Sequence, residues 1–458
     1  MLCLLVGPVG LDNGVGLRPA MGYNTWNDLR CEGVTADAID AIAVAMVELG
    51  LAKLGYTYLN VDDCWATTTD PSGELVADPA AFPDGLPALV ESVHARGLRF
   101  GLYGDRGWKT CAFRPGSGGL EPAHAAQFAR WGVDYLKYDS CWASNDHDAA
   151  FEQYGAMRDA LNASGRPVLY SLCGWNAWYA PRGAELANSW RIAADCDEWA
   201  NVYVAVRTNE ALGQHAAPGG FNDPDMLLGS DPTAPAHLTP RQVQAQFSLW
   251  AVMAAPLLIG SRLRSMPASD LATYSNPEVI AINQDALGRQ GEVVWSNCPP
   301  YAPRDNWWNS PWSMPREVAV AWTSVLVTAA MLSATSALLL RRRAPRTARL
   351  AVVFAACCTG YVCWIWYHRP RLDACQQVWA RPLEDGSHAL CFVNFAPHAA
   401  VVGCDSACMA RAGIRSPVTV RDAVRQRATD FGQVQQVDAV HLPADGGSEL
   451  YRLTPLSV

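Results

Sequence analysis

Charge is scarce in this chain: Asp, Glu, Lys and Arg make up 17% of 458 residues, while half of the residues are hydrophobic. That is apolar for a soluble protein. Positive charge is scarcer still, with 35 Lys and Arg against 44 acidic residues and a net charge of −9. An extended basic surface for nucleic acid is thereby excluded. The sequence has no G-x-S-x-G elbow, no phosphate-binding loop and no H-E-x-x-H, which removes the serine-hydrolase, nucleotide-hydrolase and zinc-protease readings. No Gly-rich dinucleotide turn follows the first strand-like run, which weighs against a doubly wound nucleotide-binding sheet. Nine histidines show no metal-type clustering, and the cysteine spacings fit no zinc site. A divalent cation on Asp62, Asp63 and Asp225 is set aside, because neighbouring strand residues point to opposite sides. The expectation is an enzyme without metal or cofactor.

Cysteine, by contrast, is plentiful. Fifteen are too many for a typical cytosolic protein, so disulfides in an oxidising lumen are expected. One glycosylation sequon, Asn162-Ala163-Ser164, agrees with that. Residues 1–16 begin MLCLLVGPVG, which reads as the tail of a clipped signal segment although it lacks a basic start. The expected setting is the secretory pathway, lysosomal, vacuolar or extracellular. Eighteen tryptophans and fifteen tyrosines offer flat apolar faces suited to stacking on sugars.

From residue 17 to 291 the pattern is strand, loop, helix, repeated. Eight short apolar runs mark strands at 20–26, 56–63, 99–105, 133–139, 168–173, 189–195, 219–226 and 257–261. Amphipathic stretches lie between them, among them Thr35–Leu54 with a Thr35 N-cap, and a helix opened by Thr239-Pro240. Eight such units in this length predict a TIM (β/α)8 barrel. From 376 to 458, short alternating runs such as VWARPL and HALCFVNF predict an antiparallel β-sandwich. Between these parts, 292–375 reads as an insertion carrying an apolar hairpin. Residues 318–340 and 350–367 hold no charge, and five arginines separate them. The first run is long enough to span a bilayer and the second is marginal. Membrane insertion through 318–367 is the expectation, against a buried helix pair or a stretch absent from the mature protein.

The strand ends carry carboxylates: Asp62 and Asp63, Asp139, Asp195, and Asp223 with Asp225. A barrel gathers such ends at one mouth, and two carboxylates flanking one bond suit glycoside hydrolysis. A lone aspartate at a strand end is more often a turn residue, but four carboxylate-bearing ends make that reading poor collectively.

The strings MGYNTWN (21–27), YLNVDDCW (58–65), YGDRGWKTC (103–111), YLKYDSCW (135–142), SLCGW (171–175), SWRIAAD (189–195), NDPDM (222–226) and AINQDALGRQG (281–291) resemble, in order, the α-galactosidase and α-N-acetylgalactosaminidase family of retaining glycosidases, glycoside hydrolase family 27. The resemblance resumes at VWARPL. It implies Asp139 as nucleophile and Asp195 as general acid/base, with Lys137 favouring the ionised nucleophile. Arg191 matches a substrate-binding arginine, and Trp26, Asp62, Asp63, Tyr103 and Met226 match positions lining a galactose pocket. The substrate class implied is a galactosyl glycan or glycolipid, and a homodimer is left open. Disulfides Cys31–Cys64 and Cys111–Cys141 follow from the same resemblance. Cys173 lacks its usual partner at Ala187, so Cys196 is a substitute to consider. Cys404–Cys408 could close a small loop, and Cys298 with Cys375 could staple the insertion's base. Gly174 and Ala177 are small where galactose-specific relatives carry larger residues, leaving room for an acetamide. That makes α-N-acetylgalactosaminidase the alternative to α-galactosidase. An inactive carbohydrate-binding protein is disfavoured because both carboxylates are present, and a membrane-anchored structural protein would not explain the strand ends.

Overall fold

A computed structural model describes residues 13–303, 324–333, 335, 352–360 and 372–456. Eight parallel strands form the first sheet: Met21–Asn24 (β1), Tyr58–Asn60 (β2), Arg99–Asp105 (β3), Tyr135–Asp139 (β4), Leu169–Leu172 (β5), Ser189–Arg191 (β6), Phe221–Asp223 (β7) and Leu257–Ile259 (β8). From β1 to β7 each pairs with the next in sequence, and β8 pairs with β1. A parallel bridge between Leu227 and Ile259 closes the ring beyond β7. All eight predicted strands are present, though most are shorter than their apolar runs. The run 189–195 gives only three strand residues, so Asp195 stands on the loop beyond β6.

The helices follow from local chemistry. Thr35 caps Ala36–Glu48 by accepting from the Ala38 amide, and Ile39, Ile42, Ala43 and Met46 bury one face. Thr239 caps Pro240–Val252 in a reciprocal box with Gln242, and Pro240 sits where its missing N–H goes unneeded. The main core lies between strands and helices, while Tyr58, Tyr135, Leu169 and Leu258 fill the barrel's axis.

The C-terminal region has a six-stranded and a two-stranded antiparallel sheet enclosing a second core. Its first strand is Glu292–Ser296, which pairs with Gln376–Pro382. Residues assigned from sequence to the start of the insertion therefore belong to the sheet, and Cys298–Cys375 closes just beyond them. Buried Arg381 ties sheet to barrel by donating to the Ala251 and Asn283 carbonyls at 2.6 and 3.2 Å.

Residues 311–371 form a separate unit. Most of both apolar runs lies outside the described residues, so the membrane hairpin expected there does too. No helix among the described residues is long and apolar enough to cross a membrane. The pieces 324–333 and 352–360 are helical.

Candidate active site

The strand ends converge as the barrel requires. Asp105 and Asp139 are paired across β3 and β4, Asp223 ends β7, and the loops just beyond the strands hold Asp62, Asp63, Asp195 and Asp225. The backbone there is strained: Cys64, Trp142, Trp175 and Asp225 have φ of 79°, 52°, 56° and 98° although none is glycine. Such conformations persist where the surroundings over-determine them, commonly at functional sites.

Asp139 is buried. Its Oδ2 accepts from the Tyr103 hydroxyl at 2.8 Å and its Oδ1 from the Ser140 amide at 2.9 Å. Burial pushes this carboxyl up to about 7, against the downward pull of Lys137 and the Tyr103 hydroxyl. Lys137 donates to Asp62 Oδ2 at 2.8 Å and lies 5.4 Å over the Tyr103 ring. Burial alone would lower its pKa, but Asp62, Cys173, Asp139 and Asp195 outweigh that and keep it charged.

Asp62 and Asp63 part company, as neighbours must. Asp62 also accepts from Asn24 Nδ2 at 2.8 Å and from the Asp63 amide at 2.9 Å. Asp63 accepts from the amides of Cys64 at 2.6 Å and Ala112 at 2.9 Å. Protein donors thus reach all four oxygens, and because each carboxylate oxygen has two lone pairs, acceptor capacity remains for sugar hydroxyls.

Asp195 keeps half of its side chain exposed (50%) and pairs with Arg191 at 2.9 Å. Desolvation pushes its carboxyl up, but Arg191 and Lys137 prevail and hold it below the ordinary carboxylate value. The second fork of Arg191 reaches buried Asp225, also at 2.9 Å. Burial lifts Asp225 to about 6 despite Arg191. Asp225 also accepts from the Cys196 amide at 2.6 Å. Sequence reasoning saw Asp225 as a strand-end carboxylate and a rejected cation ligand, without its tie to Arg191, and missed Asn24. Both lie inside the quoted strings, but nothing in the sequence shows which partner each meets.

A cavity at the base of the mouth is lined by Asn24, Lys137, Cys173, Arg191, Asp225 and Met226, with Tyr135, Ser171, Asp223 and Leu258 around them. Trp26 opens the short helix after β1, half-buried, with the Arg30 guanidinium 4.9 Å over its ring. Ala177 begins a single turn, Ala177–Tyr179, and is partly exposed.

One expectation fails here. Cys173 and Cys196 are both buried free thiols. Cys173 faces the Arg191 guanidinium at 3.8 Å, whereas Cys196 faces the Pro224 carbonyl at 3.5 Å. At Gly174 a Cβ would come within 1.9 Å of the Tyr179 ring. The glycine accommodates Tyr179, which packs against Phe151, Tyr154 and Trp178. The other disulfides are formed as expected: Cys31–Cys64, Cys111–Cys141, Cys298–Cys375 and Cys404–Cys408. The grouping of Asp105, Asp139, Cys111 and Cys141 offers no thiolate ligand, since the two sulfurs are bonded to each other.

Two acids of opposite environment beside a cationic clamp, in a mouth with flanking aromatic rings, can support acid-assisted displacement at a sugar carbon. Known proteins agree. Residues 18–285 match the family described as "Alpha galactosidase A", and 373–451 match "Alpha galactosidase C-terminal beta sandwich domain". Alpha-galactosidase 3 of Arabidopsis thaliana is 42% identical over 326 residues, covering 69% of this chain and 71% of its own. The alpha-galactosidase of Cyamopsis tetragonoloba is 43% identical over 290 residues, covering 62% and 69%. The structure of the Saccharomyces cerevisiae α-galactosidase with raffinose superposes with a TM-score of 0.74 at 25% identity, over 97% of this chain and 99% of that one. The chain belongs to the α-galactosidase family and is a glycoside hydrolase.

Proposed function

We propose that this protein is a retaining α-galactosidase that removes terminal α-linked galactose from oligosaccharides or glycolipids by double displacement. The observation that carries the reading is the division of labour between Asp139 and Asp195. Asp139 is buried and aimed by Tyr103, which suits attack on the sugar's anomeric carbon. Asp195 stands half exposed on the next loop but one, where a leaving-group oxygen would enter. Lys137 and Arg191 hold the negative charge of the pair, and Asp139, relieved of its proton, forms the glycosyl–enzyme ester. Asp195 donates its proton to the departing oxygen and then takes one from the water that hydrolyses the ester. Trp26, Asp62, Asp63, Tyr103 and Met226 form the pocket wall, where the lone pairs left on Asp62 and Asp63 accept from sugar hydroxyls. The four disulfides and the exposed Asn162 sequon support work in the secretory lumen.

Kinetics with aryl α-galactoside and aryl α-N-acetylgalactosaminide test the sugar. Turnover of the galactoside should dominate; turnover of the acetamido sugar alone would replace the reading with the N-acetylgalactosaminidase one.

The pair also sets the pH profile. In the free enzyme one proton is shared by two carboxylates, and it rests on Asp139, whose pKa is near 7. Filling the mouth with substrate desolvates Asp195 and shifts the proton to it. Above about pH 7 the pair loses this proton and with it the acid. Below the depressed pKa of Asp195 both are protonated and the nucleophile is lost. kcat/KM for an oligosaccharide should therefore fall above about pH 7 and again in strong acid. A rate still rising at pH 9 would contradict the shared proton.

A further inference from the structure

Three large aromatic rings stand exposed on loops beside the catalytic aspartate: Trp108 (62%), Phe113 (61%) and Trp142 (46%). Single exposed aromatics are ordinary, but these touch one another. Trp108 meets Trp142 edge-on at 5.5 Å between centroids, and Phe113 meets Trp142 at 5.0 Å. They come from two loops, one after β3 and one after β4, and both loops are fastened to the catalytic centre. Cys111–Cys141 joins them, with Cys111 Sγ 3.6 Å from Asp139 Oδ2. The Ala112 amide, between Cys111 and Phe113, donates to Asp63.

The presentation is rigid. Residues 108–116 form a tight turn, with Thr110 N donating to the Arg114 carbonyl at 2.9 Å and Gly116 N to the Trp108 carbonyl at 3.2 Å. Gly107 lets the loops close on each other, because a Cβ there would lie 2.0 Å from the Cys141 carbonyl oxygen. Phe113 and Trp142 both sit at positive φ, 62° and 52°. Backbone strain is thus spent on turning two rings outward next to the nucleophile.

We propose that Trp108, Phe113 and Trp142 form the subsite for the leaving group of the substrate, and that the leaving group they fit is a saccharide. This rests on the galactosidase reading above. A pyranose offers an apolar C–H face to an aromatic ring and hydroxyls around its rim. The platform matches that mixture: Lys109 Nζ lies 5.4 Å over the Trp108 ring, placing a strong donor where hydroxyls would project. An acyl chain would bury area on the rings but would gain nothing from that donor. Because the rings are already fixed by the disulfide and the turn, little ordering opposes binding.

The test compares raffinose with methyl α-D-galactoside, which has no leaving-group sugar. In Trp142→Ala and Trp108→Ala, the ratio of kcat/KM for raffinose to that for methyl α-D-galactoside should fall about tenfold, mostly through KM for raffinose. Trp142→Phe should recover most of it, and thermal unfolding should match the parent because the rings are exposed. An unchanged ratio overturns the proposal. So does a loss confined to a lipid-linked galactoside in detergent micelles, which would make the platform a lipid site. Failure of the parent enzyme to cleave methyl α-D-galactoside would strike the underlying galactosidase reading instead.

Discussion

Asp139→Asn will abolish galactoside turnover, by on the order of 10⁴-fold or more in kcat, and will make the fold more resistant to heat at neutral pH. Both effects come from one fact: the carboxyl is buried where its charge is disfavoured, and the folded protein carries that disadvantage for the sake of the reaction. Its pKa is about 7 in the folded chain and about 4 in an unfolded one. Between those values the unfolded chain has released a proton that the folded chain still holds. Stability linked to this group is therefore full below about pH 4 and is lost as pH rises through 7. The loss amounts to a few kcal/mol, at about 1.4 kcal/mol per pH unit. An asparagine never ionises, and its side-chain oxygen can still accept from Tyr103 or Ser140. The variant should melt higher than the parent at pH 8 and alike at pH 4. Thermal unfolding at the two pH values, beside steady-state kinetics, checks both halves. A variant with parental turnover would sink the nucleophile assignment, and a lower melting point at pH 8 would sink the electrostatic account.

The fold was legible because a parallel barrel writes itself locally. Arg99–Asp105 was read from its apolar run residue for residue, and the Thr239-Pro240 cap was read from two letters. Both depend on short-range chemistry. Asp195 was placed on a strand because its apolar lead-in, Ile192-Ala193-Ala194, looks like a continuation of β6. That lead-in is buried or half-buried loop rather than ladder, and hydropathy alone does not separate the two. Glu292–Ser296 was missed as a strand because its partner, Gln376–Pro382, lies across the intervening unit.

The site was legible as a set of residue types at strand ends, and less so as contacts. Gly174 shows why. Its smallness invited a reading about space for an acetamide, and the fold adds a second reason for it, the close approach of Tyr179 five residues on. What a glycine admits is decided by the neighbour that arrives in three dimensions. Asp62 and Asp63 make a related point: the donors two adjacent acids meet, Asn24 and Lys137 at one and Ala112 at the other, are set by the fold and not by their adjacency.

Arg191→Ala should be the most destabilising single change in the mouth, by about 3–5 kcal/mol near pH 8. The guanidinium is nearly inaccessible and bridges two carboxylates at 2.9 Å each. Asp195 is half exposed and can recover water, so its loss of partner is minor. Asp225 cannot. It is buried, keeps only the Cys196 amide at its second oxygen, and already has a pKa lifted to about 6 with Arg191 present. Without the arginine its pKa climbs further and the group binds a proton. Arg191 stabilises the ionised form, so its contribution is present above the pKa of Asp225 and is lost as pH falls through it. The variant should be much less stable than the parent at pH 8 and close to it at pH 5. Arg191→Lys keeps the charge but not the fork, so one ammonium cannot serve both acids; its stability should fall between the two. Activity should drop in both variants, by about 10² or more, because Asp195 loses the partner that aims it. Unfolding of the three proteins at pH 5 and pH 8 decides. Equal stability of Arg191→Ala and parent at pH 8 would show that Asp225 does not depend on the arginine for its place in the core.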